Sequence, residues 1–251
     1  MIDLHCHLLP GIDDGPADLG GVLAMAQQHV KAGVEVVAAT PHVAWDMPNE
    51  PETIDLRLAD VQAALSAAEI PLRVVRGAEI DVHQAVKLTN EQLRALALGG
   101  GPWLLLEAPL RPGVGFAPVA YALLERGHGV LIAHPERSPV LQRDPETLRD
   151  LVRAGAATQI TAASFAGSFG RTVREYAERM LEAGLVHSVA SDAHDALRRP
   201  PGLAEPLRAA GLGELVPLLT QEAPAAILAG EPLPPAPSWR RRRGLRGLLG
   251  R

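Results

Sequence analysis

The sequence contains a single cysteine, Cys6, among 251 residues. One thiol closes no internal disulfide and builds no thiolate cage, so any bound metal must rely on nitrogen and oxygen ligands. Long apolar runs are missing too. Nowhere do eighteen apolar residues follow one another, and the start, Met-Ile-Asp-Leu-His, has neither the basic nor the apolar stretch of a secretory signal. The expectation is a soluble, cytoplasmic protein. Excess positive charge is also lacking. The net charge is −5, and six of the arginines fall in residues 238–251, which contain no acid; the remainder has 18 basic against 29 acidic residues, a net of −11. An acidic body is a poor match for a phosphate backbone, so no nucleic-acid partner is expected. A nucleophilic thiolate loop of the Cys-x5-Arg kind is absent as well, since six residues after Cys6 stands Ile12. Cys6 is read as a small core residue.

What is present is an alternation. Short β-branched or apolar runs at 2–6, 35–39, 73–78, 103–106, 130–133, 158–161 and 187–190 are separated by helical patterns at 19–32, 54–68, 117–126, 145–154 and 172–183. Gly33, Gly127, Gly155 and Gly184 stand at helix ends as stops. This rhythm predicts an α/β fold on a parallel sheet, and the 47% hydrophobic content suffices for one core. An open sheet gathers functional residues only near its switch point, whereas a barrel points every strand end at one face. The polar residues decide for a barrel, because they stand at the ends of most runs. The barrel is expected over residues 1–230, followed by a Pro-rich linker and basic tail over 231–251. That tail is either a solubilising terminus or a weak contact for an anionic membrane surface.

The first run ends in His5-Cys6-His7, whose imidazoles share a face because strand side chains alternate. Later runs lead into Thr40-Pro41-His42, Gly77-Ala78-Glu79, Glu107, His134-Pro135-Glu136-Arg137 and Ser191-Asp192-Ala193-His194. Converging carboxylates repel one another unless cations lie between them. The candidate ligands are His5, His7, Asp14, His42, Glu79, Glu107, His134, Asp192 and His194. Nine are too many for one ion. Two or three divalent ions are implied, with nitrogen and oxygen donors suited to Mn, Fe or Zn and with Glu79 able to bridge.

As a set, His5-Cys-His7-Leu-Leu-Pro-Gly-Ile-Asp13-Asp14-Gly-Pro, Thr-Pro-His42, Gly-Ala-Glu79-Ile, Leu-Leu-Glu107, Ala-His134-Pro-Glu-Arg137, Gln159-Ile-Thr-Ala-Ala-Ser164-Phe-Ala-Gly167 and Ser-Asp192-Ala-His194 resemble the polymerase and histidinol phosphatase (PHP) superfamily. More specifically they resemble its bacterial protein-tyrosine phosphatase branch of capsule and exopolysaccharide synthesis. The resemblance implies a distorted seven-stranded TIM-like (β/α)7 barrel and a trinuclear centre. It would place one ion on His5, His7, Glu79 and Asp192, a second on Glu79, Glu107 and His134, and a third on Asp14, His42 and His194, with Asp13 as the alternative to Asp14. It implies that Arg137 and Arg199 hold phosphate, with Arg198 adjacent. It also implies a phosphotyrosine-bearing partner, a tyrosine kinase of polysaccharide assembly, and a homo-oligomer.

Coordination lowers the pKa of water from about 15.7 towards 7, so the expected chemistry is in-line attack on phosphorus by a metal-bridging hydroxide. Where many relatives carry further His or Arg after Thr-Pro-His, this chain has Val43-Ala44-Trp45-Asp46, and Trp45 is the candidate for stacking on an aromatic substrate. Ser164, Gly167 and Gly170 either line the phosphate pocket or give the mouth room. His29, His83, His128 and His187 are read as surface or packing residues. Two other functions fit the same residues: a phosphatase for a small ester such as histidinol phosphate or a nucleotide, and a metal-binding regulatory module without turnover.

Overall fold

The structure, a computed structural model, describes residues 1–111 and 115–239. Most of the basic tail, from residue 240 onward, lies outside the described residues, and with it the membrane contact expected there. The strands are β1 Ile2–Cys6, β2 Val36–Ala39, β3 His42–Val43, β4 Arg73–Arg76, β5 Glu79–Ile80, β6 Trp103–Glu107, β7 Gly129–Ala133, β8 Ala157–Thr161 and β9 Ser188–Ala190. All paired strands run parallel, in a three-stranded sheet ordered β1-β2-β4 and a six-stranded sheet ordered β3-β5-β6-β7-β8-β9.

The two sheets are parts of one ring. Val36 to Ala39 pair in step with Arg73 to Arg76, and His42 and Val43 continue the same register against Glu79 and Ile80. The second and third runs, read as 35–39 and 73–78, are therefore each continued beyond a break by a two-residue strand, β3 and β5, which changes the expected single ladder into two sheets. At Pro41 the break follows from the missing N–H, which cannot join a ladder. Across from it, Gly77 is pressed against its neighbours: a Cβ there would stand 2.9 Å from Leu98 Cδ2 and 3.1 Å from Thr40 Cγ2. On the far side the ring closes just past β1 and β9. Cys6 bridges Ala193, the Asp192 N–H donates to the His5 carbonyl and the His7 N–H to the Ala193 carbonyl, both at 2.9 Å.

Alternation along the strands then sorts the side chains. Leu104, Leu106, Val130 and Ile132 face outward into the main core beneath the helices, while Leu4, Ala38, Leu105, Leu131 and Ala157 form a second apolar cluster in the lumen. The C-terminal helix Ala223–Ala229 adds Ile227 to that cluster. Each aliphatic side chain so buried stabilises the fold by roughly 1.5–3 kcal/mol. The lumen is thus filled at its lower end and lined by polar side chains at the strand C-termini. Strand β1 departs from strict alternation. Its register against β2 shifts between Asp3 and Cys6, and Leu4 and His5 both reach inward, Leu4 into the lumen cluster and His5 to Gln159. A bulge of this kind re-aims one side chain without ending the strand.

Residues 231–239 carry no helix or strand, yet they follow the barrel wall: Leu233 packs on the lumen cluster, and Trp239 packs on the main core and donates its indole N–H to Glu214 at 3.1 Å. Among the described residues no helix is long and apolar enough to cross a membrane. His187, at the start of the last run, accepts the Thr158 N–H through Nδ1 at 3.1 Å. Burial pushes its pKa from an ordinary 6.5 down to about 4. Because the unfolded chain takes up this proton first, the contribution of His187 is complete above about pH 6.5 and is lost as pH falls towards 4. Denaturation followed from pH 7 to pH 4 is expected to show wild-type stability falling more steeply than that of His187→Asn; parallel curves would count against this assignment.

Candidate metal centre

Four buried donor atoms converge at the ring-closing seam. His5 Nε2 lies 3.2 Å from Glu79 Oε2, 3.3 Å from His7 Nε2 and 3.5 Å from Asp192 Oδ1. His7 Nε2 lies 3.4 Å from Glu79 Oε2 and 3.7 Å from Asp192 Oδ1. Nitrogen and oxygen ligands about 2.1 Å from a tetrahedral ion stand about 3.4 Å apart, so this spacing fits a divalent ion. The other oxygen of Glu79, Oε1, is 2.7 Å from His134 Nε2. Further out, Asp14 Oδ1 lies 3.3 Å from His194 Nε2 and 3.6 Å from His42 Nε2, with Asp14 55% exposed at the rim. Donor atoms within 4.8 Å of one another form three groups: His5, His7 and Asp192; His5, Glu79 and His134; and His7, Asp14, His42 and His194. Eight of the nine sequence-read ligands are brought together in this way. Glu107 belongs to none of the groups.

Several side chains aim the donors. The Asp13 carboxylate accepts from His7 Nδ1 at 2.8 Å and from the Gly15 N–H at 2.9 Å, which leaves His7 Nε2 facing Glu79. Asp13 therefore orients His7, while Asp14 faces His42 and His194. Gln159 Oε1 accepts from His5 Nδ1 at 3.1 Å and does the same for the other imidazole. Asp3, fully buried, accepts from the His5 N–H at 3.3 Å and the Ser191 N–H at 3.0 Å, tying β1 to β9 directly behind the site. Glu136 accepts from the Thr161 N–H and the Ser164 hydroxyl, fixing the turn after His134; Ser164 is thereby committed to Glu136. Two donors sit on strained backbone, His134 at φ +34° and Asp192 at φ +53°, in the left-handed region that side chains other than glycine rarely adopt.

The electrostatics match the geometry. Burial alone would lower the His7 pKa, but hydrogen bonds to Asp13 and Glu79 overcome it and push it up to about 10. Burial likewise raises Glu79 and Asp192, yet the neighbouring imidazoles outweigh it, and Arg199 and Arg137 add to the effect at Asp192; both carboxyls are held well below their usual range. At Glu107 the lowering influence of Arg137 and His7 is outweighed. Burial, then the charges of Glu79 and Asp81, drive it up to about 9. Protons on imidazole and carboxyl groups thus balance charge that a bound cation would balance instead.

Arg137 and Arg199 both contact Asp192 Oδ2, Arg199 at 2.6 Å, and the Arg137 guanidinium lies 4.6 Å over the Phe169 ring. Arg198 is exposed; its backbone N–H donates to Asp195. Cys6 faces away, 3.5 Å from His29 Nε2, and burial followed by the Asp3 charge pushes its thiol pKa well up. His29 is fully buried, between Cys6 and Asp3, so its place is in the core and not at the surface. His29 thus follows the packing half of its sequence reading, whereas sequence reasoning gave no role to Asp3 or Glu136. Their signal was weak: Asp3 is an acid inside an apolar strand, and Glu136 an acid close to a candidate ligand, His134.

The family described as capsular polysaccharide synthesis, CpsB/CapC, matches residues 1–211. The tyrosine-protein phosphatase YwqE of Bacillus subtilis is 37% identical over 201 residues, 79% of each chain. The putative tyrosine-protein phosphatase CapC of Staphylococcus aureus is 29% identical over 204 residues, 80% of this chain and 79% of that one. A crystal structure from work on YwqE and on CpsB of Streptococcus pneumoniae, described as metal-dependent tyrosine phosphatases, superposes with TM-score 0.83 at 34% identity, covering 96% of this chain and all of the other. Dihydropyrimidinase from Brevibacillus agri superposes with TM-score 0.57 at 10% identity over 90% of this chain and 70% of that one, a likeness of fold alone.

Asp13→Asn, which weakens an orienting contact, is expected to lower metal affinity about 10–100-fold. Asp14→Asn is expected to leave fewer ions per chain after dialysis while the inner donors stay loaded. Atomic spectroscopy on dialysed protein checks both, and an Asp14→Asn protein with wild-type metal content would contradict the arrangement.

Proposed function

We propose, from the premise that this chain belongs to the CpsB/CapC family of capsular polysaccharide synthesis, that it is a metal-dependent phosphatase of protein phosphotyrosine. The observation that carries this reading is the meeting of buried imidazoles and carboxylates with two guanidiniums, all at the mouth of one lumen. In this proposal His5, His7, Glu79 and Asp192 hold one divalent ion; Glu79, Glu107 and His134 hold a second; and Asp14, His42 and His194 hold a third. Mn is the first choice, with Fe or Zn as alternatives. Such ions supply Lewis acidity, bringing the pKa of water from about 15.7 towards 7 and neutralising phosphoryl charge.

The remaining work falls to the chain. Arg137 and Arg199 bind the non-bridging phosphoryl oxygens, and Asp192 holds the two guanidiniums side by side for that task. Gln159 and Asp13 keep the ligating nitrogens of His5 and His7 turned inward. A tyrosine phenolate leaves with a conjugate pKa of about 10, so no side chain has to protonate it. Trp45, 77% exposed three residues after His42, stacks on the aromatic ring in this proposal. The proposed partner is a tyrosine kinase of polysaccharide assembly, met in the cytoplasm. Self-association into a homo-oligomer and a weak membrane contact through the basic tail belong to the same proposal, as does a single catalytic domain over 1–230 with 231–251 as linker and tail.

Hydrolysis of phosphotyrosine peptides is expected to disappear on chelation and return with Mn, Fe or Zn. Arg137→Ala or Arg199→Ala should lower kcat about 10²–10³-fold, while Cys6→Ser leaves it within about twofold. A kcat/KM much higher on histidinol phosphate than on phosphotyrosine would overturn the substrate class, and activity insensitive to chelation would overturn the chemistry.

A further inference from the structure

Beside the centre lies a cavity of about 810 Å³. Its walls are Ser191 and Asp192, the stretch from Arg198 to Pro206 with Arg208, the helix Ala162–Ala166 with the turn after it, and the C-terminal end of the helix Leu19–Lys31. That helix is fastened to the wall by Gln28, whose amide donates to the Ala196 carbonyl at 2.9 Å. At its inner end the cavity reaches Asp192 and Arg199, the second of which binds the phosphoryl group in the reading above. Away from that end the lining carries three cations, Lys31, Arg198 and Arg208, against one carboxylate, Glu205. Among the described residues no ion pair holds any of these three cations. On a chain whose body is net −11 this is a local reversal of sign. Between Arg198 and the ligand His194, Leu197 is 89% exposed.

We propose that this cavity receives acidic residues flanking the phosphotyrosine, so that the enzyme selects tyrosines in acidic sequence; the inference rests on the phosphatase reading above. Unpaired cations in a recess continuous with the reacting end hold carboxylates on the same chain as the phosphate. A nucleic acid requires a basic stripe along its backbone, not a local recess on an acidic body. The cavity volume lies within the roughly 300–1,000 Å³ of binding pockets. Exposed ion pairs contribute a few-fold each and are screened by salt, so the preference is moderate and ionic-strength-dependent.

The test compares kcat/KM on phosphotyrosine peptides flanked by Glu, Ala or Lys with the rate on p-nitrophenyl phosphate, for metal-loaded wild type and for the double variant Lys31→Glu/Arg208→Glu. Wild type is expected to favour the Glu-flanked peptide about tenfold over the Lys-flanked one. The double variant should lose or reverse that order while hydrolysing p-nitrophenyl phosphate at the wild-type rate, and 0.5 M NaCl should shrink the wild-type preference. Equal kcat/KM on all flanks, or a preference unchanged in the variant, overturns the proposal and leaves the phosphatase reading standing. If wild type hydrolyses no aryl phosphate, the phosphatase reading fails by itself. Fluorescence anisotropy of an unphosphorylated Glu-rich peptide then decides: binding to wild type that weakens in the double variant supports the cavity, and binding that is absent or equal in both overturns it.

Discussion

Everything at the mouth of this barrel depends on one constraint: Glu79 and Asp192 are carboxylates in a buried place, and a buried charge persists only beside a compensating one. Glu79 answers with His5 and His7 on one oxygen and His134 on the other. Asp192 answers with imidazoles on Oδ1 and two guanidiniums on Oδ2. The same demand explains the supporting shell. Asp13 and Gln159 turn imidazole nitrogens inward, and Asp3 ties β1 to β9 where the ring closes. Strain at His134 and Asp192 is tolerated because this packing over-determines both positions.

The lumen divides by polarity, and that division makes the site. Leucines of β1, β6 and β7 and Ile227 from the C-terminal helix exclude water from the lower end. Above that floor, inward positions become His5, Glu79, His134 and Gln159. A dry floor strengthens every electrostatic interaction set upon it. The break at Pro41 and Gly77 lets the upper parts of two strands pair towards β6 while the lower parts stay with β1, and His42 and Glu79 stand at the start of the upper parts.

Much of this was legible in the sequence. The βα rhythm gave the class, and the run ends gave most of the side chains that converge, Glu107 excepted, because strand termini of a parallel barrel share one face. The division into two sheets was not legible, since a two-residue interruption leaves the apolar pattern of each run intact. Nor were the roles of Asp3 and His29. Their partners, Ser191 and Cys6, are distant in the chain or hidden by the alternation of a strand, and only the closed ring brings them together. Which of Asp13 and Asp14 faces His42 and His194 also needed three dimensions, as neighbouring acids in a loop carry no periodicity that tells them apart.

The central claim is that one buried carboxylate organises more than one divalent ion. Its most direct test is the metal-to-chain ratio of dialysed Glu79→Gln beside wild type, with folding verified by circular dichroism. The account predicts more than one ion per wild-type chain and a loss of more than one in the variant. A wild-type chain holding a single ion, or a variant retaining the full complement, would contradict it.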